Sequence, residues 1–124
     1  MKTQIVCKEA PTAIGPYSQA VVKGGMLFVS GQLGLDVKTG IIPEDIAGQA
    51  RGALENLRRI ISEAGGSMDD VVKCSVFIKD MGEFASMNEV YAEFFKEPYP
   101  ARTTVEAARL PKDVKVEIDA IAIL

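Results

Sequence analysis

Arg102, Thr104, Glu117 and Asp119 bring together a guanidinium, a hydroxyl and two carboxylates on two short, largely apolar stretches, residues 100–105 and 113–124. A guanidinium offers two parallel donors to a carboxylate. In the second stretch Val114, Val116, Ile118, Ala120 and Ala122 recur at period two, with Lys115, Glu117 and Asp119 between them, so it reads as a strand. If the two stretches pair as a hairpin closed by Arg109-Leu110-Pro111-Lys112, Thr104 lies opposite Glu117 and Arg102 opposite Asp119, all on one face. A slip of one residue would reverse those faces. The polar face turns apolar at Ile121 and Ile123, which calls for something to cover that end. Spacing alone also allows plainer roles: Arg102 as a surface partner of Asp119 or Glu106, and Glu117 as a solvated charge.

Composition narrows the chemistry. The chain has 124 residues and no histidine, which excludes a Ser-His-Asp triad, a Cys-His pair and the common His-based metal sites. Acid–base work falls to carboxylates, Tyr, Lys, Cys, backbone or water. A hydrophobic share of 48% and a charged share of 25% describe a globular protein expected to form one domain over residues 1–124. The net charge of −3 disfavours a dedicated nucleic-acid binder. Cys7 and Cys74 lie in apolar surroundings and read as reduced core thiols of a cytoplasmic protein. No run reaches transmembrane length, and no apolar stretch precedes Lys8, so neither a membrane span nor a secretion signal is expected.

The elements that must position these residues follow in order. Residues 4–7, 17–23 and 26–31 are strand-like, the last two separated by the hairpin signal Gly24-Gly25. Residues 43–64 place Ile46, Ala50, Ala53, Leu54, Leu57, Ile61 and Ala64 on one helical face, stopped by Gly65-Gly66. Residues 71–79 form a strand with Val72, Cys74, Val76 and Ile78 on one side. Residues 80–96 form a second helix whose Asp80 and Glu83 resemble a capping box. The order β-β-β-α-β-α-β-β is α+β. Two helices cover one sheet face, so the other is polar or buried against another subunit. Tyr17 follows the stiff Gly15-Pro16 segment, Ser30-Gly31 ends an apolar strand, and Asn88 sits one position past core-facing Met87. Each reads as readily as a structural terminus or surface residue as a ligand contact.

Five segments in register carry a resemblance. They are Ala13-Ile14-Gly15-Pro16-Tyr17, Val29-Ser30-Gly31-Gln32, the run from Lys79 through Glu83 and Phe84 to Asn88, Pro100-Ala101-Arg102, and Arg109-Leu110-Pro111 through Lys115-Val116-Glu117. Together, over essentially the whole chain, they resemble the RidA/YjgF family of enamine/imine deaminases. The resemblance implies a chorismate-mutase-like α+β domain forming a homotrimer, with ligand sites between subunits and neither metal nor organic cofactor. It implies hydrolysis of 2-aminoacrylate-type enamines and imines, released by pyridoxal-phosphate-dependent serine and threonine dehydratases, to 2-oxo acids and ammonia. Carried over by position, Arg102, Glu117 and Tyr17 would be catalytic, and Ser30, Gly31, Asn88 and Thr104 would bind substrate together with Arg102. Thr104 stands where many relatives have cysteine, so no thiol role is expected there. The alternatives from other classes are a non-catalytic binder of 2-oxo acids and a ribonuclease or translation inhibitor. No membrane or nucleic-acid partner is expected.

Overall fold

In the computed structural model, which describes residues 1–124, a six-stranded sheet carries two helices on one face. The elements are β1 (Thr3–Ile5), β2 (Ala20–Lys23), β3 (Met26–Gln32), α1 (Ile46–Glu63), β4 (Val71–Ile78), α2 (Phe84–Ala92), β5 (Ala101–Glu106) and β6 (Val116–Ile123). Single 3-10 turns occupy Met68–Asp70, Met81–Glu83 and Pro111–Asp113. Across the sheet the order is β1-β2-β3-β6-β4-β5, with only β4 and β5 parallel.

This order corrects the expected hairpin. The stretches that carry Arg102 and Glu117 are not neighbours, because β4 lies between them. The short loop after β5 turns through Lys112 and Asp113, both in the left-handed region at φ 56° and 55°. The chain then enters β6 between β3 and β4. The reason is hydrophobic: Val116, Ile118, Ala120 and Ala122 are all buried, and only a central position buries a whole row of this kind beneath α1.

The register then sorts the side chains. Arg102 aligns with Cys74 and Ala120, and Thr104 with Val76 and Ile118, on the helix-covered face. Glu117 aligns with Phe77 and Val105, and Asp119 with Ser75 and Thr103, on the opposite face. The four residues expected on one face are therefore divided between two.

Other boundaries move for local reasons. A bulge between Val71 and Lys73 puts Val71 in the core and leaves Val72 45% exposed, so the expected row begins one residue early. The first helix starts at Ile46, with Asp45 as its N-cap residue, and ends where Gly65 takes a φ of 91° and Gly66 N–H returns to Ile61 O at 3.0 Å. Asp80 accepts from Gly82 N–H at 2.8 Å, and Glu83 reaches Lys115 at 3.6 Å, so no capping box forms and a 3-10 turn precedes α2. Residues 17–19 stand outside β2, and the first strand covers 3–5.

The core joins the inner sheet face to α1 and α2, including Leu54, Leu57, Ile60, Ile61 and Met87. Periodicity did not reveal three buried amides that fasten loops to it. Gln19 accepts from Cys7 N–H at 2.7 Å and donates to Pro11 O at 2.7 Å. Gln49 accepts from Lys115 N–H at 2.7 Å. Asn56, wholly buried on α1, donates to Leu33 O at 2.9 Å and Leu35 O at 3.0 Å. The sheet face turned away from the helices has no such cover: Phe28 and Ile123 are 41% and 44% exposed, beside half-buried Val21 and Ile121.

Asn56→Leu leaves two carbonyls without donors in a buried setting. It is expected to destabilise the protein by about 2–4 kcal/mol, read by denaturant unfolding at fixed protein concentration.

Candidate functional site

The site residues form two half-sites, one on each side of the sheet. The first stands on the edge strand β5. Arg102 projects toward α2, where its guanidinium carbon lies 4.6 Å from the centre of the Tyr91 ring and 5.4 Å from that of Phe84. Its Nη1 donates to Asn88 Oδ1 at 2.7 Å. Neither plainer partner engages it. Asp119 Oδ1 accepts from Ser75 N–H at 2.9 Å on the other face, and Glu106 Oε1 accepts from Met81 N–H at 2.9 Å. Arg102 makes no salt bridge within the chain. Asn88, Tyr91, Tyr99, Pro100 and Arg102 line a cleft of about 470 Å³. A cation with no carboxylate of its own, in a partly aromatic cleft, has N–H groups left to offer a small anion such as a carboxylate.

Below the guanidinium the environment dries out. Thr104 Oγ1 and the Tyr91 hydroxyl are both buried without a hydrogen-bond partner. Tyr91 also packs on Phe95 at 4.7 Å between ring centres. Burial pushes the Cys74 thiol up to about 11, with the neighbouring Tyr91 hydroxyl opposing the shift. Burial likewise raises Tyr91. The thiol and the hydroxyl influence each other without forming a hydrogen bond of normal geometry. Both stay neutral at physiological pH, which leaves the cation as the charged group of this cleft.

The second half-site lies on the open face and its rim. A bulge in β3 between Val29 and Gln32 lifts Ser30 and Gly31 out of the ladder with β6. A Cβ at residue 31 would come to 2.5 Å from Glu117 Oε2, so a larger residue there would displace the carboxylate from its present position. Ser30 Oγ donates to Ser18 O at 2.6 Å. The Tyr17 hydroxyl accepts from Ile14 N–H at 3.5 Å, and the ring is 52% exposed. Tyr17 and Gly31 border a cleft of about 370 Å³. Its walls are held by two of the three amides that pattern reading missed: Gln19 ties down Pro11, and Asn56 ties down Leu33 and Leu35. A polar residue on an otherwise apolar helix face was the one available signal for Asn56. Burial first, and Asp119 second, hold the Glu117 carboxyl above the usual carboxylate range. That is the direction a general base needs.

The structure thus brings Asn88, Arg102 and Thr104 together on one side, and Tyr17, Ser30, Gly31 and Glu117 on the other. No group of three or more Cys, Asp or Glu side chains is placed to hold a metal ion, and no helix is long and apolar enough to cross a membrane.

Residues 7–124 match the family described as endoribonuclease L-PSP. A RutC family protein of Pyrococcus horikoshii is 54% identical, with 98% of each chain covered. The 2-iminobutanoate/2-iminopropanoate deaminase of Escherichia coli K12 is 49% identical, with 99% of this chain and 98% of the relative covered. Among solved structures, E. coli TdcF with bound serine matches at a TM-score of 0.94 and 50% identity over 98% of each chain. The YjgF gene product of E. coli matches at 0.93 and 49% over 98% of each chain.

The raised Glu117 carboxyl gives a signed expectation. A carboxyl whose folded pKa lies above its unfolded value contributes stability that is complete below the unfolded pKa, about 4.3, and lost as pH rises through the folded value. Glu117→Gln should therefore gain stability over the parent at pH 7 and lose that advantage below about pH 4. Asp119→Asn keeps an acceptor for Ser75 N–H but removes the neighbouring charge. Carboxyl-carbon NMR should show Glu117 titrating lower in that variant, yet still above the ordinary range, because burial is the larger cause.

Proposed function

The chain belongs to the RidA/YjgF family, also described as endoribonuclease L-PSP, and from that premise we propose that it hydrolyses 2-imino acids, formed from 2-aminoacrylate-type enamines, to 2-oxo acids and ammonia. The observation that carries this reading is the Arg102 cleft: a guanidinium oriented by Asn88 and two rings, with no carboxylate partner inside the chain. The deaminase name of relatives near 50% identity supports it.

In this mechanism Arg102 grips the substrate carboxylate through two N–H groups, leaving C2 and the imine nitrogen at the mouth of the cleft. The enamine tautomerises to the imine. Glu117 takes a proton from water as the oxygen attacks C2, and the proton passes to nitrogen. Glu117 then carries the hydroxyl proton of the resulting carbinolamine to the nitrogen, the C–N bond breaks, ammonia leaves and the C2 oxygen becomes the 2-oxo group. Tyr17 and Ser30 shape the approach and relay protons. The overall balance is imine plus water to ketone plus ammonia, with no change of oxidation state.

Arg102 and Glu117 point from opposite faces of one sheet, so one chain cannot apply both to one substrate. We place the site between copies, with Arg102, Asn88 and Thr104 from one protomer and Tyr17, Ser30, Gly31 and Glu117 from the next. The uncovered apolar patch around Phe28, Ile121 and Ile123 and the unpaired edge of β5 favour this arrangement, as does the trimer that the family implies. The serine bound to TdcF favours a second reading, a binding protein for amino or oxo acids, which turnover alone separates from the first.

The test generates 2-aminoacrylate in situ with a dehydratase and follows loss of the enamine above the spontaneous rate. Wild type should accelerate it. Arg102→Ala should lose about 30-fold to several thousand-fold, and Arg102→Lys should fail badly too, since an ammonium lacks the two-point grip. Light scattering should give a trimer mass for all three. Mixing unfolded Arg102→Ala and Glu117→Gln chains one to one and refolding them should restore about a quarter of the sites, because each shared site then draws its two groups from independent chains. Wild type that binds 2-oxobutanoate without accelerating enamine loss would support the binding-protein reading, and cleavage of RNA by purified protein would support the ribonuclease one.

A further inference from the structure

We infer that Tyr91, seconded by Phe84, is a positioning residue for the carboxylate grip, acting on Arg102 through its ring face. The inference rests on the reading of Arg102 as the substrate anchor and deepens it. A guanidinium that must present two N–H groups in one direction has to be fixed in its plane and within it. Asn88 Oδ1, at 2.7 Å from Nη1, fixes rotation within the plane by engaging one corner of the fork. The rings of Tyr91 at 4.6 Å and Phe84 at 5.4 Å confine the plane itself. Both lie inside the range where ring quadrupoles attract a cation. They also replace part of the hydration that Arg102 gives up, in a cleft where no carboxylate of the chain compensates it.

Tyr91 suits this role because it cannot move. It is 95% buried, packed against Phe95 with the two ring planes tilted by 40°, and seated beside Cys74. Its hydroxyl contributes nothing visible to the grip, being buried without a partner. The role therefore belongs to the ring, and phenylalanine should fill it. An aliphatic side chain of similar size should not, because it offers packing without a quadrupole. Once the guanidinium is free to tilt, the carboxylate is held less tightly in ground state and transition state alike, so the loss should appear in KM more than in kcat.

The experiment compares Tyr91→Phe, Tyr91→Leu, Tyr91→Met and Phe84→Leu with wild type. Each is assayed for enamine loss, for 2-oxobutanoate binding by calorimetry, and for thermal unfolding. Tyr91→Phe should stay within about twofold of wild type in KM and Kd. The Leu and Met variants should raise both by about 5- to 30-fold with kcat changed far less. Phe84→Leu, at the more exposed and more distant ring, should raise both about threefold. Should the two aliphatic variants of Tyr91 fail to fold, Phe84→Leu decides alone. Leu, Met and Phe84→Leu variants indistinguishable from wild type would overturn the inference, as would a Tyr91→Phe variant as impaired as Tyr91→Leu. If wild type binds 2-oxobutanoate without turning over the imine, the deaminase reading fails while the Kd series still judges Tyr91. Wild type that binds no 2-oxobutanoate overturns the inference itself.

Discussion

Insertion of β6 between β3 and β4 is the constraint on which the rest of the structure depends. The strand is hydrogen-bonded along both edges, and one side of it is buried under α1. Its place makes β3 and β4 parallel without being adjacent, and α1 packs across it and β3. It also pushes β5 to the edge. From that single placement follow the cleft beneath α2 and the opposite orientation of Glu117. A one-residue slip of β6 would bury Glu117 and Asp119 under α1 and expose Ile118 and Ala120. Burying two unpaired carboxylates costs far more than any contact such a register could gain. The register is thus fixed by what it would cost to be wrong.

The fold was largely legible in the sequence. The order of strands and helices, the buried row of the final strand and the apolar face of α1 all follow from periodicity, because burial on one side of an element imposes it. Partner choice was not legible. Nothing in residues 100–124 announces that β5 pairs with β4 rather than β6, since a parallel pairing is settled by the crossover helix and not by the loop. Bulges escaped for a related reason. Val72 and Gly31 look like ordinary members of alternating runs, and the extra residue shows only once the neighbouring strand is in place.

The candidate site shows the same division. Residue types pointed to Arg102 and Glu117, and spacing pointed to a shared face that the register does not provide. The buried amides Gln19, Gln49 and Asn56 escaped pattern reading because they satisfy backbone groups of irregular segments. Such partners have no period. Tyr91 follows core-facing Met87 by about one helical turn, and it is buried. Its second contact, with the guanidinium, depends on β5 turning Arg102 toward α2.

The lone cation of the Arg102 cleft sits in a protein whose formal net charge is −3. At a distance an approaching anion meets weak repulsion in proportion to its own charge. Within a few ångströms it meets a positive group that aromatic walls keep partly out of water. The two ranges act as a valence filter. A monoanion pays the outer toll once and is repaid by the whole of the inner attraction, while a polyanion pays it many times for the same single contact. Salt screens the outer field, whose reach is about 8–10 Å at physiological strength, more than the sheltered inner one. If Arg102 anchors a carboxylate as proposed, the cleft would favour a monoanion over a polyanion before shape is considered.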